Sequence, residues 1–84
     1  MGTFALHHVQ LAMPKGGEDR ARQFFVDILG MVELEKPETL GKRCGVWFAS
    51  GDTQVHMGVE VPFSPALKAH PAFLVDDLAG LRCR

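Results

Sequence analysis

Three six-residue runs open on a histidine: HVQLAM from residue 8, HMGVEV from residue 56 and HPAFLV from residue 70. In each run the second, fourth and sixth places are apolar, proline once among them. A period of two belongs to a strand with one buried face, because successive side chains point to opposite sides. The pattern predicts three strands whose histidines all turn away from the apolar layer. His8, His56 and His70 are three of only four histidines in the chain. His7 is out of phase with them and is read as structural.

Residues 4–13 are expected as one strand, ended by Pro14 and the Lys15-Gly16-Gly17 turn. A helix follows over about 18–29, with Ala21, Phe24, Phe25, Ile28 and Leu29 forming a helical stripe. Glu18 and Asp19 suit its N-terminal dipole, and Gly30 suits the position just past its end. Strands are expected over 31–36, 43–49 and 53–61, with Ser50-Gly51-Asp52 as a hairpin turn. A proline-rich link over 62–69 leads to a further strand over 70–75. Asp76 or Asp77 then caps a second helix start. The order is β-α-β-β-β, followed by the beginning of the same order again: a module over 1–61, a linker over 62–69 and the first part of a second module over 70–84.

A domain of 84 residues buries only about 60–65% of the surface its unfolded chain exposes. Such a core gains from a metal, a disulfide or a partner chain. The two cysteines, Cys44 and Cys83, have no metal-like or redox spacing and read as free thiols. The formal net charge is -1 with no basic run, which argues against nucleic acid and anionic membrane as partners. No signal peptide or membrane span is apparent, so the expectation is a soluble cytoplasmic protein.

Imidazole is a common neutral ligand for Zn, Fe, Ni, Co or Mn. Three imidazoles projecting from one face of a sheet can hold a divalent metal with open positions, as a catalytic site requires. A lone strand histidine is more commonly a surface or hydrogen-bonded residue, and separations of 48 and 14 residues match no local zinc motif. Trp47 and Phe48 suit either a cavity wall or the core. Gln10 and Glu60 share the predicted faces of His8 and His56.

HHVQLAMP, the helix carrying Ala21, Phe24-Phe25 and Leu29-Gly30-Met31, VHMGVE and AHPAFLVDD together resemble the glyoxalase / bleomycin-resistance / extradiol-dioxygenase superfamily, the vicinal oxygen chelate fold. The resemblance implies an α+β fold of paired βαβββ modules curled into a cup. It implies metal ligands at His8, His56 and His70, and a fourth ligand, usually glutamate, on a strand that does not occur within these 84 residues. Gln10, Trp47 and Glu60 are expected to line the substrate cavity; the catalytic residue is not identified. The implied chemistry is metal-dependent, of lyase, isomerase or dioxygenase type, on a small oxygenated substrate. The alternatives are a metal-free drug-binding protein of the resistance branch and an inactive single module. Pairing of modules between two chains implies a homodimer.

Overall fold

The computed structural model describes residues 2–37 and 45–83. Five elements follow in the order β1 (Val9–Met13), α1 (Glu18–Arg22, continued as π-helix over Gln23–Ile28), β2 (Val32–Leu34), β3 (Val46–Ser50) and β4 (Thr53–Val59). A short helix, α2 (Leu78–Leu81), lies beyond them. The strands form one mixed sheet in the order β1-β4-β3-β2. β1 runs parallel to β4, while β3 is antiparallel to both β4 and β2.

Alternation decides which face is dry. Phe48 is paired with Val55 across β3 and β4, and neither exposes any surface. Met13, Val46 and these two meet Ala21 and Phe25 of the helix and Met31 behind it. The Phe25 ring stacks on Phe48 at 5.0 Å. At the rim, Arg22 donates from Nε (2.8 Å) and a terminal nitrogen (3.2 Å) to the Glu33 carboxylate. The helix thus closes one face of the sheet, and the other face carries His56, Trp47 and Gln10.

The helix spans the expected residues, but its second half is π-helical: Leu29 N–H reaches the Phe24 carbonyl, five residues back. The wider turn changes the stripe. Phe25 stays in the core, while Phe24 is exposed and meets the Phe25 ring edge-on. Gly30 takes the left-handed conformation, φ 74°, expected after the helix.

The strands are shorter than the alternation suggests. The first begins at Val9, not residue 4. Val9 pairs with Val55 and β4 starts at Thr53, so residues before 7 run past the end of their parallel neighbour. The second and fourth narrow to Val32–Leu34 and Thr53–Val59. The third runs over Val46–Ser50; residues 43 and 44, Cys44 among them, lie outside the described residues. The strand expected over 70–75 is absent as a strand. It has no ladder partner, and alternation fixes sidedness without supplying hydrogen bonds. Asp77 does cap α2: its carboxylate accepts from the Gly80 N–H at 2.9 Å.

Candidate functional site

The face opposite the helix holds a stack of three rings. His56 is central, on β4, and Trp47 lies directly across from it on β3. The indole and imidazole planes are 5° apart, with centroids separated by 3.9 Å. On the other side of His56 lies His8, at 4.1 Å and 12°. His8 immediately precedes β1 and is exposed, whereas His56 is buried between its neighbours. The β1–β4 register sets Gln10 beside His56. Two residues earlier, His8 is delivered to the same end of β4.

Polar contacts differ along the stack. The Gln54 Oε1 accepts from His56 Nε2–H at 3.1 Å, with the amide in this orientation. Gln54 and His56 are two apart on one strand and so share a face. His8 Nδ1 meets His7 Nδ1 at 2.8 Å. Burial lowers the His56 pKa from the usual imidazole value, and the nearby His8 and His7 lower it further. His56 therefore favours the neutral form, the one that ligates metals.

A groove of about 1080 Å³ runs beside the stack, between β1 and the 63–75 segment. His8, Gln10, Glu60 and His70 all line it, along with Phe63 and Phe73. The Gln10 amide lies above Gly58, where a Cβ would come within 2.7 Å of its nitrogen. The Glu60 carboxylate accepts from the Ser64 N–H at 3.0 Å and anchors the start of the link. His70 Nδ1–H donates to the Lys68 carbonyl at 2.8 Å.

The six residues singled out from sequence therefore separate into two groups. His8, His56 and Trp47 form the stack; Gln10, Glu60 and His70 border the groove with His8. Trp47 is a neighbour of His56 rather than part of the groove wall. His7 is exposed and bonded to His8 instead of facing a core, because the strand that would fix its side starts two residues later. Gln54 was legible as sharing the His56 face, but its contact with the ring was not.

The donor types, neutral imidazoles, suit a metal. The ring directions do not in this arrangement. A ligated metal lies near the imidazole plane, in line with a nitrogen lone pair, so two rings stacked 12° from parallel cannot aim at one ion. His8 must turn first. Among the described residues no three His, Cys, Asp or Glu side chains are grouped to hold an ion.

A βαβββ sheet with one face closed by its helix and histidines on the other defines a cup-type module. No family model matches the sequence, and no curated protein is a close match. A solved structure does match. It is a Bacillus anthracis protein provisionally assigned to the glyoxalase family, 43% identical, with a TM-score of 0.90. The match covers 99% of this chain and 68% of that one. The chain belongs to the glyoxalase superfamily. Among the described residues no helix is long and apolar enough to cross a membrane.

Proposed function

We propose that the chain is the metal-binding module of a cytoplasmic glyoxalase-family enzyme acting on a small oxygenated substrate, by lyase, isomerase or dioxygenase chemistry. One observation carries the reading: two strands far apart in sequence bring His8 and His56 to 4.1 Å on the face away from the helix. His70 borders the same groove as His8 and is the third donor in this reading. A divalent metal held there (Fe, Mn, Ni, Co or Zn) would supply Lewis-acid stabilisation of an enolate-like oxyanion. The chain's own groups do the rest. His56 is kept neutral by burial, Gln54 holds its ring, and Gln10 offers an amide to a substrate oxygen. Phe63 and Phe73 supply apolar surface to the groove wall.

Metal content per chain, measured by elemental mass spectrometry on untagged protein, tests the proposal. Near-stoichiometric metal is expected in the wild type and a loss in both His8→Ala and His56→Ala. No retained metal after reconstitution with each of the five ions would sink it. The stacked ring geometry favours a second reading, a metal-free protein that binds apolar aromatic molecules in the groove. Tight binding of such a molecule by metal-free protein, unchanged by added metal, is the outcome that reading requires.

A further inference from the structure

The groove between β1 and the 63–75 segment has a charge pattern as well as a shape. Among the described residues lining it there is no lysine or arginine, and Asp52 and Glu60 are its two carboxylates. A ligand carboxylate or phosphate is ordinarily met by arginine or lysine, and here it would meet like charge instead. The two carboxylates are far apart. Asp52 lies directly before β4 and Glu60 directly after it, a span of roughly 25 Å at strand rise. That exceeds the Debye length of about 10 Å at ordinary salt, so a small ligand answers to one of them. Glu60 is the better held. Its N–H donates to the Met13 carbonyl at 2.9 Å, and its carboxylate accepts from the Ser64 N–H at 3.0 Å. An ionised carboxylate keeps acceptor sites beyond one such bond. Phe63 and Phe73 line the same groove, and each is 37% exposed. An aromatic face attracts an organic cation and repels an anion.

We propose that the groove takes a small organic cation, with its ammonium at the Glu60 carboxylate beside Phe63 and its apolar body along the wall toward Phe73. The proposal rests on the reading of the groove as a small-molecule site, and it deepens that reading by naming the charge of the molecule. It does not depend on a metal. Selectivity comes from both signs: the carboxylate draws the cation and repels the matched anion. An exposed ion pair alters affinity by up to about 5-fold, so attraction and repulsion together give a cation-to-anion ratio of roughly 10-fold. The field of the whole protein adds little, since the formal net charge is -1.

Three probes with one apolar body test this on the full chain: 1-naphthylmethylammonium, 1-naphthylmethanol and 1-naphthoate. Affinities are read from backbone amide shifts in low salt at about pH 8, above the usual imidazole range. The ammonium is expected to bind about 10-fold tighter than the carboxylate, with the alcohol between them. Its shifts are expected to centre on residues 60–64. Glu60→Gln keeps an oxygen for the Ser64 N–H and removes the charge. It is expected to cut the ratio below about 3-fold, with the fold checked by the amide spectrum. Asp27→Asn removes the same charge from an exposed helix position outside the groove, and is expected to leave the ratio unchanged. Equal or tighter binding of naphthoate overturns the proposal. So does a ratio that survives in Glu60→Gln, or one that Asp27→Asn lowers as much. Shifts centred on residues 50–54 in the wild type would place the cation at Asp52 and overturn the Glu60 assignment without any variant. If none of the three probes binds, the groove is not a small-molecule site and the proposal falls with it. Metal content, measured separately, still decides the metal-binding reading.

Discussion

His56 is a buried imidazole with no opposite charge beside it among the described residues, and that has a consequence for stability. Burial sets its folded pKa below the unfolded value near 6.5, and His8 and His7 push the same way. The unfolded chain therefore takes up the proton more readily. Stability contributed by neutral His56 is whole above about pH 6.5 and is lost as pH falls through the lowered folded value. Thermal melts are expected to drop between pH 7.5 and pH 5, with a shallower dependence in His56→Gln. An unchanged dependence in that variant would show that the buried imidazole is not responsible. The histidine spacing made legible that His56 lies on the face away from the helix. Its stack and its Gln54 partner were not, because ring orientation depends on side-chain packing that no period in the sequence encodes.

At the scale of elements, β3 depends on its entry. Gly45 has φ 122°, and a Cβ there would lie 2.6 Å from the Met57 carbonyl oxygen. Its N–H also donates to Glu18 Oε2 at 3.2 Å, joining the strand to the start of α1. Backbone that disfavours L side chains costs roughly 1–3 kcal/mol when a side chain is imposed, and the close carbonyl adds to this. Gly45→Ala is expected to lower the midpoint of urea unfolding by a corresponding amount, whereas Gly51→Ala, with open space around it, carries the backbone cost alone. Equal midpoints for the two variants would remove the steric part of this account. The helix and the order β-α-β-β-β were readable from periodicity and turn residues. The π-helical half of α1 was not, since the same apolar stripe fits either winding. Strand ends were overestimated where a partner strand stopped early, as at residues 4–6.

For the whole molecule, the segment after β4 keeps its alternation without a sheet. Phe73 and Val75 are 37% and 36% exposed, while Leu74 between them is fully exposed. Phe4 and Leu67 are also fully open to solvent. Apolar surface of this kind favours association, and an unpaired outer edge of β1 among the described residues offers backbone groups to a partner. We expect a homodimer in solution, measured by sedimentation equilibrium. Leu74→Lys is expected to weaken it by roughly tenfold, since burying a leucine is worth about 1.5–3 kcal/mol. A monomer at all accessible concentrations, or a dimer indifferent to Leu74→Lys, would count against the pairing.

Sequence alone determined the class of fold, the helix, the turns and the sheet face on which His56 lies, because these follow from local periods of two and 3.6 and from the backbone freedom of glycine. The resemblance carried by HHVQLAMP and VHMGVE named the superfamily that the solved structure shows. Only the tertiary structure decided that β1 lies beside β4, and hence that His8 meets His56, since strands distant in sequence are paired by burial shared across the whole sheet. It also decided that Trp47 lies on His56 rather than in the core, and that residues 70–75 extend past the sheet without joining it. Period fixes which way a side chain points; what it meets there depends on the rest of the chain.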